Sequence, residues 1–141
     1  MVKIISNSEG DTFAIGAKIG KSLKVGDVVI CNGQLGSGKT ALTKGIASAF
    51  NIKNVHSPTF TLLNEYEGDV KLYHFDAYRI SESDWMDCGF DEYLYGDGIC
   101  VIEWGENIKG ILPDNIIDVS ISPNTQCGDN SRLFLIKGAK L

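Results

Sequence analysis

Arginine is scarce in this chain. Arg79 and Arg132 are the only arginines among 141 residues, and the formal net charge is −5. A protein that binds nucleic acid directly usually presents a basic face, because contacts to phosphates supply most of the affinity. The composition therefore argues against direct binding of nucleic acid. We expect any role in a nucleic-acid pathway to depend on other proteins.

The sequence also lacks the segments that lead to or through a membrane. No apolar run approaches the roughly 20 residues that a membrane-spanning helix needs. The opening residues, Met1 to Ile5, are too short an apolar stretch for a secretory signal. We therefore expect a cytoplasmic protein that does not contact a membrane.

Cysteine is present without any pattern that indicates a metal or a disulfide. The chain has 4 cysteines, with no C-x-x-C pair and no histidines at zinc spacing. They are Cys31, Cys88, Cys100 and Cys127. We expect all of them to be reduced and structural.

A glycine-rich segment is the strongest functional signal. Residues 33–40 match G-x-x-x-x-G-K-[ST] at every fixed position, after a strand-like run at 28–31 and before a helix-like stretch at 41–50. In such a loop the backbone N–H groups surround phosphate oxygens, and the helix N-terminus adds partial positive charge. Lys39 can then reach the β- and γ-phosphates, and the Thr40 hydroxyl can ligate Mg²⁺. The segment predicts a nucleoside triphosphate site.

The rest of the pattern predicts one α/β domain over residues 1–141, a three-layer fold of the P-loop NTPase type. We expect a mixed sheet, parallel around the P-loop and antiparallel at its edge, with an antiparallel hairpin in the middle of the chain. The predicted strands are 2–5, 28–31, 59–66, 70–75, 99–103, 116–121 and 132–137. The predicted helices are 8–23, 41–50 and an interrupted 81–95.

The first helix has a recognisable beginning. Ser8, followed by Asp11 three residues later, resembles a capping box. The core-facing side chains are expected to be Phe13, Ala14, Ala17 and Ile19.

Two carboxylates compete for the second half of the site. Glu103 ends the apolar run 99–102, and Asp76 ends the run 72–75. At the carboxyl edge of a sheet, either could bind Mg²⁺ directly, bind it through water, or act as a base. The alternative for each is a strand-end carboxylate that caps a turn.

A third element follows the P-loop helix. Ser57-Pro58-Thr59 lies where P-loop GTPases carry a switch segment, so Ser57 or Thr59 could sense a γ-phosphate. Taken alone, Ser-Pro-Thr is more often a simple turn.

Together these segments resemble the bacterial TsaE family, formerly YjeE, which are small P-loop ATPases of threonylcarbamoyladenosine (t6A) synthesis in tRNA. The resemblance covers nearly the whole chain. The segments are Gly-x-Leu-Gly-x-Gly-Lys-Thr (33–40), Ser-Pro-Thr-Phe-Thr-Leu (57–62), His-Phe-Asp-x-Tyr-Arg (74–79) and Glu-Trp (103–104). The last two are much more specific than the P-loop.

The resemblance implies ATP and Mg²⁺ as cofactors. It implies a phosphate-binding loop of Gly33, Leu35, Gly36, Ser37, Gly38, Lys39 and Thr40. It also implies that Thr40 and Glu103 hold Mg²⁺, and that Asp76 supports hydrolysis from the metal shell or near the water. Lys39, Asp76 and Glu103 are thus the catalytic candidates.

The resemblance implies further contacts at the edges of the site. Ser57 and Thr59 would belong to a switch-like loop, Glu9 would lie near the adenine, and Arg132 would approach the nucleotide from the last strand. One departure is Gln34, where many family members carry an acidic residue. Backbone groups bind the phosphates there, so Gln34 leaves nucleotide binding intact.

The family's partners are TsaD and TsaB, which form the transferase and bind tRNA. The resemblance therefore implies a protein that docks on TsaB–TsaD and makes no direct tRNA contact.

A P-loop GTPase is disfavoured because no Asn-Lys-x-Asp element is present. A small-molecule kinase is also disfavoured, because such an enzyme usually needs several arginines on the transferring phosphoryl group and this chain has only two. A nucleotide-dependent binding module, in which hydrolysis is incidental, stays open.

Overall fold

In the computed structural model, which describes residues 1–34, 38–124, 126, 128–139 and 141, a seven-stranded sheet carries helices on both faces. Its strands are β1 (Val2–Ser6), β2 (Val28–Asn32), β3 (Leu63–Glu67), β4 (Lys71–Asp76), β5 (Gly98–Glu103), β6 (Ile116–Pro123) and β7 (Arg132–Lys137). The helices are α1 (Glu9–Ser22), α2 (Lys39–Ser48), α3 (Glu82–Asp87), α4 (Asp91–Leu94) and a 3₁₀ helix (Gly105–Ile111).

The strand order is β1-β7-β6-β2-β5-β4-β3. The central strand β2 pairs in parallel with β5 and β6, and β4 pairs in parallel with β5. The outer pairs, β1 with β7, β7 with β6, and β3 with β4, are antiparallel. This confirms the mixed α/β sheet. It extends the prediction, because antiparallel pairing occurs at both edges.

Both faces of the central strands are covered, which explains why β2 is a continuous apolar run rather than an alternating one. On one face α1 and α2 pack on residues that include Val29 and Val101. On the other, Trp85 of α3 packs in a cluster with Phe75 and Ile102. The described helices include none long and apolar enough to cross a membrane.

The N-cap of α1 is confirmed, since Ser8 accepts a hydrogen bond from the backbone N–H of Asp11 at 3.0 Å. The full capping box is not formed, because the Asp11 carboxylate accepts from the backbone N–H of Asn7 and not from that of Ser8. The predicted core face is wrong in part. Phe13 is 41% exposed and Ala14 is also exposed, whereas Ile19 is buried as expected.

Close contact between glycines turns α1 away from the predicted face. Gly16 of α1 lies directly against Gly45 of α2, where a β-carbon on Gly45 would lie 2.9 Å from the Cα atom of Gly16. The two backbones can approach this closely only where side chains are missing. The interface is therefore centred on Gly16, and Phe13 is rotated toward solvent.

The predicted strand 59–66 is also wrong in its first half. Residues 59–61 form a turn in which the carbonyl oxygen of Pro58 accepts from the N–H groups of Thr61 and Leu62, at 3.2 and 2.7 Å. Leu62 has a φ of 66°, which no strand residue adopts. Strand β3 therefore begins only at Leu63, although the predicted hairpin with β4 is present.

The cysteines that the structure describes, Cys31, Cys88 and Cys100, are free, and Cys127 lies outside the described residues. Burial raises the pKa of the Cys100 thiol to about 12 and raises the pKa of Cys31 further. Both buried thiols therefore stay protonated and unreactive at neutral pH.

Candidate functional site

The predicted site residues meet at one edge of the sheet, where the parallel strands β2, β4 and β5 end. The register places Glu103 opposite Asp76 on one side and opposite Cys31 on the other. Strand β2 ends at Asn32, and α2 begins at Lys39. The parallel pairing therefore brings both carboxylates beside the first turn of α2, as expected at the carboxyl edge of an open α/β sheet.

A cavity of about 850 Å³ opens at this edge. Many of the predicted residues line it: Glu9, Gly38, Lys39, Thr40, Ser57, Thr59, Asp76, Glu103 and Arg132. Gly33 is not among the lining residues, although its carbonyl contacts Lys39. Leu35, Gly36 and Ser37 lie outside the described residues.

Lys39 is the first residue of α2 and is only 5% exposed. Its Nζ donates to the carbonyl oxygen of Gly33 at 2.8 Å and lies 4.1 Å from the centre of the Trp104 ring. Burial lowers the pKa of Lys39, and the charges of Glu103 and Asp76 partly oppose that shift. The ammonium is therefore held at the cavity wall by a carbonyl dipole and an aromatic face.

Gly38 explains how the chain turns into α2. It has a φ of 106°, in the left-handed region that favours glycine, and its carbonyl accepts from the N–H of Leu42 at 2.9 Å. The helix N-terminus that follows carries Thr40 on the cavity wall. Unpaired N–H groups at such an end attract anions.

Glu103 is 5% exposed and its Oε2 lies 2.7 Å from Nε2 of the fully buried His74. Asp76 is 7% exposed, and its Oδ1 accepts from the backbone N–H of Tyr78 at 2.9 Å. One carboxylate oxygen of Asp76 thus caps a turn, and Asp76 also lines the cavity. The turn-capping alternative and a functional role are compatible for this residue.

The oxygen donors fit Mg²⁺ in the way that nucleotide sites usually do. Thr40, Asp76 and Glu103 supply a hydroxyl and two carboxylates on one cavity wall. Within the part of the chain that is described, no group of three or more His, Cys, Asp or Glu side chains could hold a metal alone. Mg²⁺ commonly uses one or two carboxylates together with substrate phosphates and water. The donor set therefore fits a cation that arrives with a triphosphate.

The loop between α2 and β3 forms another wall. The Ser57 and Thr59 hydroxyl oxygens are hydrogen-bonded to each other at 2.7 Å, and both residues line the cavity. Phe60, next in the chain, is 98% exposed at the same cavity. The loop thus presents two hydroxyl groups and one unburied aromatic ring to whatever enters.

The pairing of the first strand with the last also brings residues to this cavity. The pairing of β1 with β7 places Ser6 opposite Arg132, which brings the start of α1 near the start of β7. Glu9 and Arg132 consequently line one cavity although they lie far apart in sequence. The Arg132 guanidinium donates to the carbonyl oxygens of Asp129 and Ser131, at 2.7 and 3.0 Å.

Sequence reasoning missed several residues on the cavity wall. They include Asn7, Phe60, Tyr78, Arg79, Trp104 and Asn130. Tyr78 and Arg79 belong to the His-Phe-Asp-x-Tyr-Arg segment, which was a signal for them, and both arginines of the chain line this cavity. Trp104 belongs to the Glu-Trp segment; its ring contacts Lys39 and also Tyr78, and the ring centres of Trp104 and Tyr78 are 4.9 Å apart. Asn130 carried no sequence signal.

Comparisons with known proteins agree on one family. The family model for the threonylcarbamoyl adenosine biosynthesis protein TsaE matches residues 6–132. The chain is 42% identical over 122 residues to the tRNA threonylcarbamoyladenosine biosynthesis protein TsaE of Treponema pallidum, covering 85% of this chain and 90% of that protein. The protein of that name from Bacillus subtilis is 41% identical over 124 residues, covering 86% and 76% of the two chains.

A solved structure shares the fold. The crystal structure of Bacillus subtilis YdiB superposes with a TM-score of 0.79 and 34% sequence identity, covering 94% of this chain and 82% of that one. The similarity therefore extends over nearly the whole sheet and its helices.

Proposed function

This chain belongs to the TsaE family, and on that premise we propose that it is an Mg²⁺-dependent ATPase of t6A biosynthesis. One observation carries the proposal. Lys39, Thr40, Asp76 and Glu103, which come from three separate segments of the chain, line a single cavity at the N-terminus of α2. These are the residue types that phosphoryl transfer from a nucleoside triphosphate needs.

Each side chain has a role that its position supports. Lys39 would bind the β- and γ-phosphate oxygens, and Thr40 and Glu103 would hold Mg²⁺. The bound cation supplies charge neutralisation on the phosphate oxygens. Asp76, whose Oδ1 is fixed by the N–H of Tyr78, would use its other oxygen to orient a water.

Glu9 and Arg132 would contact the base and sugar end of the nucleotide. They lie on the cavity wall that the β1–β7 pairing creates. Ser57 and Thr59 would close over the γ-phosphate, because both residues line the same cavity as the first turn of α2. A loop that carries such groups can transmit the state of the nucleotide to a partner.

We propose that the partners are TsaD and TsaB and that the protein acts with them in the cytoplasm without contacting tRNA directly. The family resemblance and the net charge of −5 support this part. Hydrolysis by this chain would then drive or reset the transfer cycle that its partners perform.

The test is ATP hydrolysis measured with and without purified TsaB and TsaD. We expect Mg²⁺-dependent hydrolysis that rises when both partners are present, together with co-purification of the three proteins. An absence of both stimulation and co-purification would contradict the partnership. Transfer of the phosphoryl group to a small molecule would favour a kinase instead.

A further inference from the structure

His74 is a fully buried ionisable residue next to the proposed site. It lies in β4, is fully buried, and lines no part of the cavity. Its partner in the β4–β5 register is Val101, two residues before Glu103. Side chains two residues apart point to the same face of a strand, so His74 and Glu103 are diagonal neighbours on one sheet face.

The contact between them is polar and isolated. His74 Nε2 lies 2.7 Å from Glu103 Oε2, both atoms are buried, and neither forms a hydrogen bond of full geometry with any residue described. His74 Nδ1 has no hydrogen-bond partner among the residues described. Among the described residues, Glu103 is thus the one polar partner within reach of the imidazole.

Packing alone does not explain an imidazole at this position. The neighbouring buried positions of β4 include Leu72 and Phe75, which fill the core without polar atoms. Burying a polar ring costs free energy unless a hydrogen bond compensates it. A specific use for the ring nitrogen accounts for that cost.

We propose that His74 is a positioning residue: from its 2.7 Å contact, a small turn of the ring lets Nε2–H donate to Glu103 Oε2, which aims the other oxygen at Mg²⁺. The inference rests on the proposed ATP site. With Oε2 buried against His74, Oε1 is the oxygen left to meet a cation at the cavity wall. A buried carboxylate with a fixed rotamer binds a metal without first losing conformational freedom.

The register of β4 and β5 is consistent with this supporting role. Parallel pairing puts Asp76 opposite Glu103 and His74 one step behind both, toward the amino ends of the strands. His74 therefore supports Glu103 from inside the protein, on the side away from the cavity. It touches no substrate.

The test compares ATP affinity in Mg²⁺ and in EDTA by calorimetry for three variants. His74→Leu removes the donor, and His74→Gln keeps an amide donor. Tyr73→Phe is the matched control. It alters the residue of β4 next to His74 and removes the 2.6 Å hydrogen bond from the Tyr73 hydroxyl to Asp97. Supporting groups behind metal ligands typically change metal affinity by about 10- to 100-fold.

Mg²⁺ should raise the ATP affinity of the unmodified chain, and we expect this gain to be smaller by at least about tenfold in His74→Leu. The affinity of that variant in EDTA should be unchanged. His74→Gln should keep most of that gain, and Tyr73→Phe should keep all of it while lowering the melting temperature. A His74→Leu protein with the full Mg²⁺ gain would overturn the role of His74.

A second measurement needs no substitution. The chain has only 2 histidines, so both imidazoles can be assigned in long-range ¹H–¹⁵N spectra of the unmodified protein. We expect the proton of His74 on Nε2. A ring protonated only on Nδ1 would overturn the proposal, even if His74→Leu failed to fold.

The two proposals fail differently. If the unmodified chain shows no Mg²⁺-dependent ATP affinity, the proposed function is wrong and the role of His74 falls with it. If it shows that affinity and His74→Leu retains it, only the role of His74 is wrong.

Discussion

The ammonium of Lys39 lies over the indole ring of Trp104, 4.1 Å from the ring centre, while it donates to the carbonyl oxygen of Gly33 at 2.8 Å. A cation over an aromatic face is held by the ring quadrupole. A lysine that binds phosphate must exchange at least part of these contacts. Trp104 is therefore placed to sense the arrival of a nucleotide at Lys39.

Tryptophan fluorescence should report ATP binding through Trp104. The other tryptophan, Trp85, is fully buried, does not line the cavity and packs on Phe75. We expect ATP to change the emission of the unmodified protein and of Trp85→Phe. Trp104→Phe should lose the change, and an unaltered change in that variant would contradict the placement of Trp104 at the nucleotide.

Glu103 and Asp76 should separate metal binding from turnover. Glu103→Gln removes the charge that would hold Mg²⁺, so we expect the affinity for Mg²⁺–ATP to fall about tenfold, the loss of one charge-assisted contact. Asp76→Asn keeps an acceptor for the N–H of Tyr78 and should preserve affinity. It should abolish hydrolysis in the presence of TsaB and TsaD. Normal hydrolysis by both variants would exclude these carboxylates from the reaction.

The contact between Gly16 and Gly45 should tolerate no side chain. A β-carbon on Gly45 would clash with the carbonyl oxygen of Phe13, so backbone would have to shift. We expect Gly45→Ala to reduce the free energy of unfolding by about 1–3 kcal/mol, the usual cost of overpacking. The measurement is urea denaturation.

The matched control is Gly10→Ala in the first turn of α1. There the nearest atom to a new β-carbon is Ser8 Oγ at 3.7 Å, which is an ordinary contact. We expect no loss of stability, since alanine is also the better helix former. Equal destabilisation by the two substitutions would show that the glycine contact is not the cause.

Stability should depend on pH through Tyr73 and Asp97. Hydrogen bonds from the Tyr73 hydroxyl, at 2.6 Å, and from Lys71 lower the pKa of Asp97. A lowered carboxyl pKa adds stability above the pKa of the unfolded chain, about 3.9 for Asp, and that stability is lost as pH falls through the lower folded value. Tyr73→Phe should therefore reduce the free energy of unfolding more at pH 7 than at a pH below both the folded and the unfolded pKa of Asp97.

The measurement is urea denaturation of the parent and of Tyr73→Phe at both pH values. Tyr95→Phe is the control, because Tyr95 is 69% exposed and makes no side-chain hydrogen bond in the described structure. It should be neutral at each pH. A cost for Tyr73→Phe that does not change with pH would exclude Asp97 as the partner that matters.

Local patterns were enough to predict most of the sheet. The runs at 28–31 and 99–103 became β2 and β5 because buried parallel strands need nothing but continuous apolar residues. The break near Gly89 also follows from local chemistry, since Gly89 has a φ of 73° between α3 and α4. The position of the P-loop was likewise predictable from local sequence.

Features that depend on distant contacts were not predictable in this way. The exposure of Phe13 follows from Gly45 on another helix. Asn130 reaches the cavity only because β7 lies beside β1. The contact between His74 and Glu103 likewise requires the β4–β5 register, which no periodicity reveals.

Calorimetric titration of ATP with Mg²⁺ into the unmodified chain, Lys39→Ala and Lys44→Ala tests the central claim most directly. Lys44 lies in the same helix but is exposed and outside the cavity, so it matches the change in charge without touching the site. We predict one ATP per chain, affinity retained in Lys44→Ala, and affinity reduced by at least about tenfold in Lys39→Ala, the loss of a charge-assisted bond to phosphate. No binding by the unmodified chain, or equal affinity in Lys39→Ala, would contradict the account.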